Sequence, residues 1–379
     1  MIPYGRQSID EDDIAAVVQV LRSDWLTQGP AVANFEAGIA ERVDAKYAVS
    51  FANGTAALHA AMAAGGIGPK HHVLTSPLSF VASANCARYV GASVGFVDID
   101  PSTWNLDPRA VTQCDALVAV HYAGLPCELE GLKVRPRVII EDACHALGAR
   151  TAAGPVGNCA YSDMTVFSFH PVKSITCGEG GVVTTNSLEL AESMRRFRSH
   201  GTVAKPQYGG WYYEVETLGF NYRLTDLQAA LGLSQLDKLA TFVAMRNALA
   251  DRYRRVFRDL SNGGIVLPPA AAPGSKHAYH LFPILVSQRR NVYDALRARD
   301  IGTQVHYVPI YRHPLYADSF VNPLDFPFTE HVYSGILSLP LHPTLTRGEQ
   351  DIVIETVIEA VQSNSNRAEV DTSAINNAA

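Results

Sequence analysis

The chain is poor in charge, and it holds no paired cysteines and no long apolar run. Charged residues make up 18% of its 379 positions and the formal net charge is -6. That balance gives no basic surplus, which argues against nucleic acid as the main partner. One basic run exists, at Arg195, Arg196, Arg198 and His200. It reads as a solvated or subunit-facing helix end, or as an anion contact. The six cysteines, Cys86, Cys114, Cys127, Cys144, Cys159 and Cys177, are scattered and form no Cys-x-x-Cys pair. A disulfide framework and a zinc site are both disfavoured; no metal is expected, and a reducing cytoplasm fits best. No segment reaches the roughly 18 uninterrupted apolar residues of a membrane span. Behind Ile2-Pro3-Tyr4-Gly5-Arg6 there is no apolar stretch, so no secretory signal is expected. No Gly-x-Gly-x-x-Gly follows the first strand, which counts against a dinucleotide enzyme. No internal repeat is present.

What the chain does have is alternation. Short β-branched runs at 47–51, 72–75, 94–97, 116–120 and 138–140 read as strands. Helical patterns at 56–64, 81–90 and 188–197 alternate with them. This predicts an α/β fold with a mostly parallel sheet covered on both faces. Two further strands, 164–169 and 181–184, are expected as a hairpin-like excursion. Two amphipathic helices, 10–21 and 32–43, precede the sheet, separated by the turn Thr27-Gln28-Gly29-Pro30. From Thr225 to about Phe257 the chain reads as a long helix, capped by Thr225-Asp226 and possible to break near Leu239-Ala240. A compact α+β unit follows, with strands at 279–286 and 303–307 and helices at 290–299 and 347–361. The expected division is a large domain over 1–250, a small domain over 251–362, and a polar, disordered tail over 363–379.

Chemistry concentrates around Phe167-Ser168-Phe169-His170-Pro171-Val172-Lys173. Lys173 sits between an apolar run and the turn Gly178-Glu179-Gly180-Gly181. A desolvated amine has a lowered pKa and can add to a carbonyl. Alternatively, the lysine snorkels out from the strand end. Asp142 closes the run Val138-Ile139-Ile140-Glu141, at the end of a parallel strand where ligands bind. It can keep a pyridine nitrogen protonated, or it can simply cap a helix. His145 lies near enough to border the same ring or to pack. Asn53-Gly54-Thr55 follows another strand, where helix amides and a hydroxyl can hold a phosphate. Ser168 is a second phosphate candidate, and Phe80 can stack on a planar ring. Phosphate turn, aromatic, carboxylate, serine and lysine, each near a strand end, point together to pyridoxal phosphate.

These segments resemble the DegT/DnrJ/EryC1/StrS family of sugar aminotransferases. The likeness runs from Ile2 to about Ser363 and includes Gly219-Phe220-Asn221-Tyr222-Arg223-Leu224-Thr225-Asp226. The resemblance implies a fold type I, aspartate aminotransferase-like architecture, with a smaller C-terminal α+β domain. It implies Lys173 as the covalent anchor of pyridoxal 5'-phosphate (PLP) and Asp142 as partner of the ring nitrogen. Gly54, Thr55 and Ser168 would hold the phosphate, and Phe80 would cover the ring. Asn221 would reach the phosphate of a neighbouring subunit, which requires a homodimer with shared active sites. Segments 76–85, 196–201 and 305–311 are most like family members that use L-glutamate to aminate C4 of UDP-2-acetamido-2,6-dideoxy-β-L-arabino-hex-4-ulose. Other 4-keto sugars, such as UDP-4-keto-arabinose or a 4-keto-6-deoxy hexose, are the alternative. From position, His306, Tyr307 and Tyr311 are expected to border the sugar or nucleotide. Relatives that dehydrate the sugar at C3 carry histidine in place of the lysine, and Lys173 argues against that chemistry. A third reading is non-catalytic, a PLP-binding regulator or a sugar-binding protein; no helix-turn-helix or basic nucleic-acid face supports the regulator.

Overall fold

Strand Val138–Asp142 is buried along its whole length near the centre of a seven-stranded sheet. In a computed structural model, which describes residues 1–258, 264–319 and 321–376, the strands follow one another across the sheet in a non-sequential order. That order is Tyr47–Phe51, Gly181–Thr185, Met164–Ser168, Val138–Asp142, Ala116–Val120, His72–Thr75 and Ser93–Phe96. Neighbours are parallel except at Gly181–Thr185, which runs antiparallel to both its partners. The expected hairpin-like excursion is therefore present, and Lys173 lies in its connection.

Alternation along the strands sends successive side chains to opposite faces. Ile140, Val166 and Val183 pack under the helix Gly54–Ala64, with Met194 of Leu188–Arg198. Alanines over most of that first helix let it lie close to the sheet. Phe167 and Val182 pack on the other face against Phe35 and Ile39 of Pro30–Val43, and against Leu239 and Val243 of Asp226–Phe257. The long helix is continuous across Leu239-Ala240, where a break was considered. Thr225 caps it: its hydroxyl accepts from Gln228 N, while Gln228 Oε1 accepts from Thr225 N. Further along the same helix, Ala250, Tyr253 and Phe257 belong to a different core. We propose the domain division near residue 250 on that ground.

The second core covers a three-stranded antiparallel sheet of Ile265–Val266, Phe282–Val286 and Ile336–Leu339, with helices Arg289–Ala298 and Arg347–Asn376. Three expectations change here. The strand foreseen from Tyr279 begins at Phe282, because Tyr279 takes a left-handed backbone, φ 48°. The strand foreseen at 303–307 is a single bridge, Gln304 to Ser338. After it the chain is drawn off the sheet, and Tyr122 Oη donates to His306 O at 2.5 Å. The true third strand, Ile336–Leu339, has no polar alternation because it is buried on both faces. The last helix runs on to Asn376, past the start of the tail expected at 363, since neither Gly nor Pro stands there to stop it. Residues 377–379 of that expected tail lie outside the described residues. Among the described residues no helix is long and apolar enough to cross a membrane.

Asp226 joins the two helices on the rear face. Fully buried, it accepts from Gly29 N at 2.8 Å and Ala31 N at 3.0 Å, at the start of helix Pro30–Val43. Asp226→Ala leaves two helix-start amides without an acceptor. It should lower stability by about 1–3 kcal/mol in chemical denaturation, with the sheet signal otherwise intact.

Candidate active site

The C-terminal ends of the parallel strands open onto one crevice, as open α/β sheets require. A cavity of about 740 Å³ occupies it. Gly54, Thr55 and Ser168 form one end of its wall, and Asp142, His145 and Lys173 the middle. Phe80, His306 and Tyr307 close the outer side. Nine of the site residues expected from sequence therefore meet in one place.

The Gly54 end is tight. Asn53 Oδ1 accepts from Ala56 N at 2.9 Å and so caps the helix whose free amides face the cavity. A Cβ on Gly54 would lie 2.9 Å from Ser168 Cβ and 3.4 Å from Cys144 Sγ. On Gly181, a Cβ would lie 2.4 Å from Asn53 O. Helix start, small side chains and a hydroxyl make an anion cradle.

Asp142 and Glu141 are neighbours with separate tasks. Asp142 faces the cavity, where its Oδ2 accepts from Ser83 Oγ at 2.6 Å and its Oδ1 from Cys144 N at 3.2 Å. Ser79 Oγ lies 2.7 Å from Ser83 Oγ. Because Ser83 spends its proton on Asp142, Ser79 must donate to Ser83. Glu141 points to the far face, bound to His121 Nε2 at 2.8 Å, Ser162 Oγ at 2.5 Å and Thr165 Oγ1 at 3.2 Å. Burial works to raise the Glu141 carboxyl, but His121 and the two hydroxyls outweigh it and hold it below the ordinary range. Glu141 is thus a structural acid.

Burial pushes the Lys173 amine below the usual lysine range, opposed by the nearby Cys144, Asp142 and Glu179. Three histidines surround it. His145 Nε2 lies 3.1 Å from Tyr307 Oη, and its ring packs 4.3 Å from that of His280. The Nδ1 atoms of both rings are buried without a partner among the described residues. Burial first, and then the charge of Lys173, pushes His145 and His280 well down and His306 to about 4. All three are neutral at neutral pH. Phe80 is 56% exposed, its ring 6.1 Å from that of Tyr307, so one face is free to cover a planar group.

Two expected residues are elsewhere. Tyr311 is buried against Phe96 and Phe326, and its hydroxyl is drawn to Glu330 Oε1 at 2.7 Å, so it does not line the cavity. Asn221 is exposed, bridged through its backbone to Ser199, and does not line the cavity either. Sequence reading missed Ser83 and His280. The spacing of Ser79 and Ser83, one turn apart after a strand, was a usable signal. His280 carries no local signal, because the fold alone brings it beside His145.

A family profile spans residues 7–358. The chain belongs to the DegT/DnrJ/EryC1/StrS aminotransferase family. This family member is 37% identical over 383 residues to the spore coat polysaccharide biosynthesis protein SpsC of Bacillus subtilis, covering 95% of this chain and 97% of the relative. It is 34% identical over 376 residues to the UDP-4-amino-4,6-dideoxy-N-acetyl-beta-L-altrosamine transaminase of Campylobacter jejuni, covering 96% and 98%. The putative sugar aminotransferase Spr1654 of Streptococcus pneumoniae, in its PMP-form, superposes with a TM-score of 0.89 at 26% identity, over 96% of this chain and all of that one. Its PLP-form gives 0.87. The DegT-family chain is a PLP-dependent aminotransferase of the fold type I architecture. The cavity suits the cofactor: a glycine-tight cradle for a phosphate, a hydroxyl-held carboxylate, an amine of lowered pKa and two buried nitrogens that lack partners.

Two expectations follow for this DegT-family protein. Gly54→Ala should keep the fold and weaken PLP retention about tenfold, read by cofactor fluorescence during dialysis, because a methyl would press on Ser168. The second concerns acid. Burial drives His277 to about 3 and His306 and His342 to about 4, against about 6.5 in the unfolded chain. As pH falls below about 6.5, the unfolded state binds protons that the folded state refuses, so stability is lost. Tm of the cofactor-free protein should fall between pH 7 and 5, above the carboxylate range, and His342→Asn should flatten that slope.

Proposed function

We propose that this aminotransferase moves the amino group of L-glutamate to C4 of a nucleotide-linked 4-keto sugar. The observation that carries the reading is the meeting of Lys173, Asp142 and the Gly54–Ser168 cradle in one cavity. Gly54, Thr55 and Ser168 would hold the cofactor phosphate, Asp142 its ring nitrogen, and Phe80 one face of the ring. When bound, PLP supplies an electron sink for the pair left when a proton departs the carbon beside the transferred nitrogen.

The chain's own part is to move that proton and protect it. With its amine free, Lys173 takes the proton from the α-carbon of glutamate, and later delivers one to C4 of the sugar. Its lowered pKa keeps more of the amine neutral and able to accept. Neutral His145, His280 and His306 leave Lys173 as the group that changes charge. Asp142 stays in place because Ser83 and the Cys144 amide occupy its oxygens. His306 and Tyr307 border the acceptor on the outer side.

The finer reading takes UDP-2-acetamido-2,6-dideoxy-β-L-arabino-hex-4-ulose as acceptor and UDP-4-amino-4,6-dideoxy-N-acetyl-β-L-altrosamine as product. Identity of 34% with the Campylobacter transaminase supports it. The working unit is a homodimer, in which the exposed Asn221 completes the phosphate site of the other subunit.

The test is an acceptor panel with glutamate as donor: this UDP-sugar, UDP-4-keto-arabinose and a dTDP-linked 4-keto-6-deoxy hexose. NMR reads the new C–N bond and its stereochemistry. Amination at C4 is expected, fastest with the first acceptor, and Lys173→Ala should lose at least about 10²–10⁴-fold in turnover. Absence of amination on every 4-keto sugar, or full turnover in Lys173→Ala, would sink the proposal.

A further inference from the structure

Arg246 is the largest of the fully buried side chains, at 1% exposure. It sits on the helix Asp226–Phe257, between Val243 of one core and Ala250 of the other. No carboxylate pairs with it among the described residues. Its guanidinium is instead ringed by backbone carbonyls. Nη1 donates to Leu341 O at 2.8 Å and, more loosely, to Tyr279 O and His280 O, both at 3.4 Å. Nη2 donates to Val172 O and Lys173 O, both at 3.4 Å. Nε is buried without a partner. Burial lowers its pKa only to about 10, so the charge persists at neutral pH.

A buried, unpaired charge is costly, and a methionine of similar volume would often serve a core equally well. The position therefore needs a reason beyond packing. The three segments on the fork supply it. Val172 and Lys173 belong to the excursion that carries the cavity's amine. Tyr279 and His280 lead into the small sheet, and Leu341 leads out of it. One rigid, planar group thus ties the backbone of Lys173 to the backbone of His280, whose ring lies in the same cavity wall. Arg is suited to this because its donors are fixed in a plane, which the single ammonium of Lys cannot match.

We propose that Arg246 is a positioning residue, holding the Lys173 backbone against the small domain so that Nζ keeps a fixed place in the cavity. The inference rests on the reading of Lys173 as the cofactor's anchor. Arg246 touches backbone carbonyls alone and acts through Lys173.

The experiment uses PLP-loaded wild type, Arg246→Met, Arg246→Lys and Lys173→Ala. Three quantities are read: the pH midpoint of the bound cofactor's visible absorbance, hydrogen–deuterium exchange over 170–177, and kcat and KM for glutamate. In Arg246→Met the midpoint should move by about half a pH unit or more. Exchange over 170–177 should rise about tenfold, and kcat should fall about tenfold with KM changed less than about twofold. Arg246→Lys should fall between Met and wild type. A wild-type midpoint and wild-type exchange in Arg246→Met overturn the proposal. So does exchange that rises evenly through the small domain with the midpoint unmoved, since that marks packing alone. Should Arg246→Met fail to fold, Arg246→Lys decides by the same readings. Cofactor that stays covalently attached to Lys173→Ala after borohydride reduction would instead defeat the anchor reading, while exchange over 170–177 still judges the Arg246 contact.

Discussion

The backbone contact between Gly181 and the Asn53-Gly54 turn sets the geometry on which the site depends. Gly181 opens the strand of the seven-stranded sheet that runs antiparallel to both its neighbours, Tyr47–Phe51 on one side and Met164–Ser168 on the other. Its missing side chain lets Asn53 O come closer than any Cβ would allow. The start of helix Gly54–Ala64 is thereby pressed against Ser168, which pairs with Gly181 in the ladder. Remove that closeness and the helix start no longer shares a wall with the strand ends. The same excursion, looping from Ser168 to Gly181, carries Lys173. A single insertion of one strand against the run of the sheet thus brings the cradle and the amine together.

Within that frame the polar groups are sorted by the face on which they fall. Asp142 is held by hydroxyl and amide donors, which fix its carboxylate oxygens at the cavity. Glu141 is spent on His121, Ser162 and Thr165. His145, His280 and His306 are neutral because burial makes their charged form expensive. The cavity therefore brings the Lys173 amine and the donor-held Asp142 carboxylate beside the neutral rings of His145, His280 and His306. That is a suitable division for moving a proton between carbon and nitrogen.

Much of this was legible from residues alone. Strand ends, glycines and the lysine carry local signatures, and β-branched runs located six of the seven central strands to within one residue at each end, with the seventh, Val138–Asp142, running two residues further, through Asp142. What escaped depends on distance in sequence. His280 reaches His145 only through the small sheet, and Ser338 decides where the 303–307 segment ends as a strand. Ile336–Leu339 was missed because its four residues include one β-branched side chain and so form no β-branched run. Tyr311 was assigned by nearness to His306 and Tyr307, but a hydrogen bond to Glu330 turns it to another surface. Arg246 had no signal at all: a lone arginine in a helix looks solvated until five carbonyls are found around it.

The adjacency of Glu141 and Asp142 has a consequence for the register of their strand. Side chains on a strand change face at every residue, so a slip of one position exchanges all of them. Were Val138–Asp142 to slide forward by one against Ala116–Val120, Glu141 would take Asp142's place at the cavity and Ile140 would face His121. The longer acid would stand where the shorter one is held by Ser83, and neither set of donors would fit. His121, Ser162 and Thr165 would then be left facing an aliphatic side chain. The register of this strand is therefore held by an acid on each face as well as by its apolar residues.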